Sequence, residues 1–495
     1  MPDTSSLKPA SIWVALIPLL TLITLLFLSV KFYGDGSSGG ANQIALLLAA
    51  AVAHIIGWRR GLSWKELEQG TVDGISRAMG ACLILFAVGA LIGAWMLSGT
   101  APAMIYYGLA ILSPSWFFPA TMVICALVAM AIGSSWTTAA TVGLALVGIS
   151  TLLGLNPAIA AGSVISGAYF GDKLSPLSDT TNLAPAMVGT DLFTHIQHML
   201  WTTVPSFIIA LILFTIIGWG GVSGAGSAAA IEETRLALEN SFNLGIPTFI
   251  PLILLITLAL KKVPAYPAIG IGALAGILVA VTYQTEGVIT FVGAAEGVGQ
   301  FEILMKGVWQ SLFGGYTANT GLADLDDLLS RGGMGNMVTT VWLIITALTF
   351  GASMERTGLL QVITTALLKG VKGTGSLIAT TVLTAIGVNI LAADQYMAIV
   401  LPGRMYRLEF EKRGLAPQNL SRTIEDAGTM TSALVPWNTC GAFMAASLGV
   451  PTLAYLPYAF LNFLNPIIAI IYGFTNFALV RIEDEKPLEQ AQPAE

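Results

Sequence analysis

The sequence predicts an all-α polytopic membrane protein made of two inverted-topology repeats, with about ten transmembrane helices, two re-entrant hairpins and two broken helices. Three observations carry this reading. The 495 residues are 55% hydrophobic and only 10% charged, where soluble domains carry roughly 25% charged residues. Apolar runs long enough to cross a hydrocarbon core recur along the chain, at roughly 20 residues each. The order of clean and interrupted runs in the first half then recurs in the second.

Clean spans are expected at about 12–31, 40–58, 78–98, 193–218, 243–260, 264–283, 337–353 and 451–476. The first run is too long for a signal-peptide core and no small-residue cleavage site closes it, so it reads as a retained span. Apolar runs broken by polar residues lie at 115–150 and 374–407, read as hairpins, and at 158–190 and 423–447, read as broken helices. Irregular backbone survives at membrane depth only inside protein or beside water, so these breaks are informative. The repeats are placed at 1–222 and 243–480, joined by a polar linker at 223–242 and followed by a cytoplasmic tail at 481–495.

Two kinds of evidence support the repeat. Gly93-Ala94-x-Met96 recurs as Gly351-Ala352-x-Met354, the polar break at Ser134 to Thr138 as Ala392 to Tyr396, and Ser178 to Asn182 as Val435 to Thr439. Corresponding loops differ in charge. The loop after the second span carries Arg59, Arg60, Lys65 and Arg77, while its counterpart carries Glu286, Glu296, Glu302, Asp324, Asp326 and Asp327. Near 403–422 lie Arg404, Arg407, Lys412, Arg413 and Arg422, opposite an uncharged loop in the first half. Opposite charge in matching loops is what inversion produces under the positive-inside rule. With both termini cytoplasmic, every Lys and Arg lies inside except Lys31, Arg235, Lys306, Arg331 and the intramembrane Lys173. The expected location is a bacterial inner membrane.

Several functions are excluded or made improbable. No basic cluster interleaves with aromatics, which argues against nucleic acid. Cys82, Cys125 and Cys440 stand alone in apolar runs and read as small core residues. There is no His-Glu-x-x-His, and the three histidines lie near span ends, so an enzyme is not expected. His195 and His198, beside Asp191, have the spacing to share a metal or sense pH, but read more simply as residues at the water interface. His54 is given no special role.

Chemistry is expected where the breaks meet, near the midplane. Gly133-Ser134-Ser135-Trp136-Thr137-Thr138 turns the first hairpin, and Gly171 to Asn182 opens the first broken helix. Asn389 to Gln395 turns the second hairpin, and Val435 to Thr439 opens the second broken helix. Hydroxyl, amide and carboxylate oxygens at this density suit a dehydrated sodium ion. Asp172, Asp179 and Asp394 are intramembrane carboxylates, costly there and functional by default. Each can hold either a proton or a cation, the simplest basis for exchange. The alternative for Asp172 is pairing with the adjacent Lys173, or capping a half-helix. Lys173 reads as a structural partner, with an anionic substrate or its own titration as alternatives. The hydroxyls of the Ser134 to Thr138 turn have a competing role as caps. Glu425 and Asp426 read as acidic residues favouring a helix N-terminus.

The run Gly171-Asp172-Lys173-Leu174-Ser175-Pro176-Leu177-Ser178-Asp179-Thr180-Thr181-Asn182 resembles the signature of the NhaC family of sodium/proton antiporters, as do Gly133 to Thr137 and Ala433 to Thr439. The resemblance implies an ion-transporter-superfamily fold with scaffold and transport domains, a homodimer and an elevator-like movement. It implies an ion site of Ser134, Ser135, Thr137, Asp179, Thr181 and Asn182. Pseudo-symmetry adds Asn389, Asp394, Asn438 and Thr439. Sodium and protons are the expected cargo, with no cofactor. Similar proteins exchange malate and lactate or carry amino acids, so an organic acid or amino acid coupled to sodium is the alternative.

Overall fold

In lipid a backbone N–H or C=O without a partner costs several kcal/mol, which leaves the helix as the self-sufficient spanning element. The computed structural model, which describes residues 9–220, 228–293, 298–368 and 371–482, is accordingly helical throughout. Its one β contact among the described residues is an isolated bridge between Leu415 and Arg481. Nine helices among them are long and apolar enough to cross a membrane, or up to eleven if each of two sharply bent pairs counts as one span. The chain is a multi-pass membrane protein.

Side-chain burial shows which faces meet lipid. Ile12–Tyr33 exposes Trp13, Ile17, Leu20, Ile23 and Phe27. Leu192–Gly220 exposes Ile208, Ile212 and Ile216, with Trp219 near its end. Met79–Leu97 is instead buried on every side from Ala87 onward. It packs on Ala265–Tyr283, and Ala41–Arg59 packs on Val338–Arg356, so helices from the two halves interlock. Around the breaks, Phe117–Ile132 lies along Pro157–Leu174, while Phe460–Thr475 contacts both Leu192–Gly220 and Thr374–Leu391.

Some segments differ from the sequence reading. The expected linker forms a helix over Ala228–Ser241, bent by 95° into the next helix; residues 221–227 lie outside the described residues. Tyr106 bonds to Glu239 and Arg235 of this helix, giving it a polar dock. The span expected at 451–476 starts later, at Phe460–Thr475. Pro451 and Pro457 help turn the chain first, through a 90° bend between Thr439–Leu448 and Thr452–Tyr458. Arg422, expected on a basic loop, is fully buried in Pro417–Ile424, where its Nη1 donates to the Ala478 carbonyl at 2.8 Å. Ala416 N and Ile482 N complete this junction by donating to Val480 and Gly414 carbonyls. Glu296 and most of the tail, 483–495, lie outside the described residues.

Gly167 and Gly171 show why the helices around the breaks pack so closely. They stand four apart on Pro157–Leu174 and face Phe117–Ile132. A Cβ on Gly167 would sit 2.1 Å from the Met122 carbonyl oxygen, and one on Gly171 2.2 Å from that of Ala126. Small residues at this spacing let two membrane helices approach to backbone contact. Gly171→Val is expected to destabilise the protein by about 1–3 kcal/mol or more, since the obstacle is backbone rather than a mobile side chain. Gly270, with nothing within 4 Å of its Cβ position, is the control. Gly270→Ala should be neutral or slightly stabilising, and thermal unfolding in detergent reads both.

Candidate functional site

Among the described residues, four helices that begin at the interruptions of the chain are each capped there by a polar side chain. Ser134 caps the helix that starts at Ser135, accepting from Thr137 N at 3.2 Å. Ser178 caps Asp179–Val188. Asp394 caps Gln395–Lys412, accepting from Met397 N at 2.8 Å, and Asn438 caps Thr439–Leu448, accepting from Cys440 N at 3.0 Å. Ser134 and Asp394 are 260 residues apart (394 less 134), as are Ser178 and Asn438 (438 less 178). Equal spacing ties the breaks of one half to those of the other.

Each hairpin tip rests on the break of its own half. Gly133 turns the first tip with φ +74°, and a Cβ there would lie 2.6 Å from Leu177 Cβ and 3.0 Å from Ser178 N. Only glycine combines that conformation with that approach. At the second tip Ala393 takes φ +56°, an uncommon value for a residue with a Cβ. Its carbonyl accepts from Thr439 N at 3.1 Å, which holds the strained turn against the second break.

The four helix beginnings line one cavity of about 310 Å³. Its wall includes Ser134, Ser135, Thr137, Asp172, Asp179, Asp394 and Thr439 from the sequence reading. Asp172 reaches across to the first tip, where its Oδ2 accepts from Ser135 N at 3.1 Å and Ser135 Oγ at 2.6 Å. Asp179 is exposed at the first turn of its helix. Thr181, Asn182, Asn389 and Asn438 do not line the cavity. Thr181 Oγ1 donates to the Lys173 carbonyl at 3.0 Å, and Asn182 Nδ2 to that of Ser178 at 2.7 Å. Asn389 Nδ2 donates to the Gly428 carbonyl at 2.7 Å and its Oδ1 accepts from Asn438 Nδ2 at 3.0 Å. These four satisfy backbone freed by the breaks.

Lys173 does not pair with Asp172. Its ammonium is fully buried and donates to Asp426 and to the Asn465 Oδ1. Thr202 Oγ1 adds a bond to the same Asp426 oxygen at 2.9 Å. Adjacent residues on a helix point about 100° apart, so Asp172 faces the tip while Lys173 faces the opposite helices. Asp426 and Glu425, read as helix-end acids, are both fully buried. His195 and His198 are buried too, rather than at a water interface. His195 Nδ1 lies 2.8 Å from Ser421 Oγ and His198 Nε2 3.2 Å from Asn419 Oδ1, so both act as cross-links between helices.

The wall also holds Arg77, Trp136, Ser178, Thr180, Gln395, Tyr396 and Cys440. Arg77 pairs with Glu355 at 2.7 Å, and Trp136 stacks on Phe443 with centroids 4.1 Å apart. Cys440 is buried as expected of a core residue, yet its Sγ contacts Gln395 Oε1 at 2.6 Å inside the cavity wall. Their signal in the sequence is position: most follow a cap by one or two residues.

Caps that converge on a small polar chamber, with carboxylates at helix beginnings, fit the handling of ions within a membrane. Residues 167–477 match the model of the Na+/H+ antiporter family. The chain belongs to the Na+/H+ antiporter family. It is 40% identical to the Na(+)/H(+) antiporter NhaC of Alkalihalophilus pseudofirmus, over 87% of this chain and 90% of that one. It is 36% identical to the arginine/ornithine antiporter ArcD of Halobacterium salinarum, over 98% and 97%. It is 37% identical to a malate-2H(+)/Na(+)-lactate antiporter of Bacillus subtilis, over 88% and 89%. The family marks this antiporter-family chain as a transporter rather than an enzyme.

The buried ion pair gives a stability prediction for this family member. Lys173→Met leaves Asp426 charged and without its cation in the interior, which is expected to cost about 3–5 kcal/mol. Lys173→Met combined with Asp426→Leu removes both charges and should recover most of that loss. Thermal unfolding of the two variants in detergent compares them directly.

Proposed function

We propose that the protein exchanges sodium ions for protons across the membrane, with the cation held in the cavity where the four helix beginnings meet. Charge balance carries this reading. Each helix N-terminus contributes about half a positive charge, so the four together offer roughly two. Asp172, Asp179 and Asp394 oppose them with three negative charges when ionised. Arg77 is occupied by Glu355. The ionised cavity is therefore net negative, and one monovalent cation neutralises it.

Asp179 and Asp394, with the hydroxyls of Ser134, Ser135, Thr137 and Thr439, are the proposed oxygen donors to sodium. Thr181, Asn182, Asn389 and Asn438 take a supporting part, holding the breaks that present those donors. Asp172 is the proposed competing carboxylate, since it pins the first tip while facing the same space. Protons and sodium then alternate on one set of negative charges, which is exchange in its simplest form.

An elevator-like movement belongs to the proposal. A second space, of about 580 Å³, lies on the far face of the second break, between Leu434 to Trp437 and residues such as Leu26, Val30, Thr339 and Leu343. Space of this kind beside the hairpins and broken helices supports their sliding as a body against Ile12–Tyr33 and Val338–Arg356. Inverted repeats with cytoplasmic termini are supported by the loop charges. A homodimer rests on the family resemblance alone.

Cavity size favours one alternative. At about 310 Å³ the space exceeds what a single dehydrated ion needs. If the carboxylates are protonated, the helix ends favour an organic anion instead. The Halobacterium and Bacillus relatives are named for amino-acid and organic-acid exchange.

Proteoliposomes loaded with a pH-sensitive dye separate the two. Sodium alone is expected to drive proton movement in the wild type, and Asp179→Asn to abolish it. A wild type that stays silent until malate, lactate or an amino acid is supplied replaces exchange of the two ions with the alternative.

A further inference from the structure

The exchange reading leaves unused a segment that stands directly behind the cavity. Between Pro417–Ile424 and Met430–Ser432 the chain makes a π-helical turn over Glu425–Thr429. Turns of this kind are rare and occur frequently at functional sites. This one places two fully buried carboxylates in succession. Asp426 is compensated at Oδ1 by Lys173 and Thr202, while its Oδ2 has no hydrogen bond among the described residues. Glu425 is not compensated: among the described residues neither of its carboxylate oxygens has an ion pair or a well-formed hydrogen bond, and only the Thr429 and Thr180 hydroxyls stand near enough to supply one. Thr180 stands beside Glu425 on one side and lines the cavity on the other.

The surroundings of Glu425 bear on its charge from several elements. Pro157–Leu174 brings Lys173 and Asp172 toward it. Its own helix adds Arg422 and Asp426, and Leu192–Gly220 places His195 near Lys173. Thr374–Leu391 contributes the Asn389 amide at Gly428, Phe460–Thr475 the amides of Asn462 and Asn465, and Gln395–Lys412 the backbone of Ala398. Lys173 is already committed to Asp426, so an ionised Glu425 has no cation of its own. A buried carboxylate in that position is far less costly as the neutral acid. Its O–H then has the Thr429 and Thr180 oxygens within its surroundings as acceptors.

We propose that Glu425 is a proton-binding site of the exchange cycle, separate from the carboxylates that face sodium. It holds a proton while the cavity lacks a cation. When sodium enters, the added positive charge across Thr180 favours the ionised carboxylate. The Glu425 O–H bond breaks, the proton passes by way of Thr180 to solvent in the cavity, and the negative charge stays on Glu425. Sodium release reverses the step. At this second site the two ions oppose each other through the electric field, in addition to their competition for the cavity carboxylates, which is a reciprocal coupling between two sites.

This inference rests on the exchange reading, and the test separates their failures. The number of protons moved per sodium ion is measured in proteoliposomes from the voltage at which net exchange reverses. A wild type that moves no protons with sodium defeats the exchange reading before any variant is compared. Given an exchanging wild type, Glu425→Gln is expected to keep sodium transport but lower the proton-to-sodium ratio by one. In the limit where Glu425 carries the sole coupled proton, sodium/sodium exchange continues with no proton movement. Glu425→Asp keeps a titratable group and should restore the wild-type ratio with a displaced pH profile. An unchanged ratio in Glu425→Gln overturns the proposal. So does a folded Glu425→Gln protein, retaining sodium-dependent thermal stabilisation, that moves no sodium at all, because that outcome assigns Glu425 a structural role. Should Glu425→Gln not fold, an unaltered pH profile in Glu425→Asp overturns it.

Discussion

A helix that begins inside a membrane protein leaves its first N–H groups without partners from within the helix itself. Among the described residues four such beginnings surround one cavity, so the cost is met four times within one small region. Ser134, Ser178, Asp394 and Asn438 meet part of it as caps. Asp172 meets another part by accepting from Ser135 N across the gap between hairpin and broken helix. The remaining N–H groups present positive potential to the cavity, and the carboxylates in its wall answer it. Backbone satisfaction and the proposed ion binding therefore draw on the same residues. Removing a cap disturbs the break as well as the potential, which is why substitutions here need a readout beyond loss of activity.

The Lys173 and Asp426 pair carries a different constraint. Both groups are fully buried, and each ion moved from water into such a site pays several kcal/mol after relaxation. Mutual attraction, Thr202 and Asn465 offset that cost. The pair crosses from the first broken helix to the second, so it fastens the two halves to each other immediately behind the cavity. It also sets the local field. In the coupling proposed above, the pair is the background against which the next carboxylate along, Glu425, responds to what occupies the cavity.

Much of the architecture was legible because lipid imposes a length rule. The helices Ile12–Tyr33, Ala41–Arg59, Met79–Leu97, Ala265–Tyr283 and Val338–Arg356 fall where the apolar runs end. The breaks were legible because clustered polar and acidic side chains are too costly on an unbroken helix that faces lipid. Direction was not legible. Nothing in the string Gly171-Asp172-Lys173 says that Asp172 faces a hairpin tip while Lys173 reaches a residue 253 positions later. Nor does the sequence reveal that the amides of Asn182, Asn389 and Asn438 turn to backbone carbonyls and to one another. Polar side chains beside broken helices serve two purposes, and only three-dimensional packing divides them. His195 and His198 illustrate the same limit: a span end in sequence became an interior once Pro417–Ile424 covered it.

The two halves share their break positions but not their chemistry, and that difference bears on how exchange is organised. The first half supplies hydroxyls at its tip and two acids, Asp172 and Asp179, at its broken helix. The second supplies one acid at its tip, Asp394, and an amide cap, Asn438, at its break. Its acids at the broken helix, Glu425 and Asp426, lie deeper, on the limb before the break rather than after it. A symmetric arrangement would place like charges at equivalent depth on both sides, where their repulsion would favour a shared occupant. The observed arrangement instead places charge at two depths, one layer in the cavity wall and one behind Thr180. In the proposed coupling, a cation in the front layer needs no direct contact with the rear one to act on its charge, because the medium between them is protein rather than water and screens little.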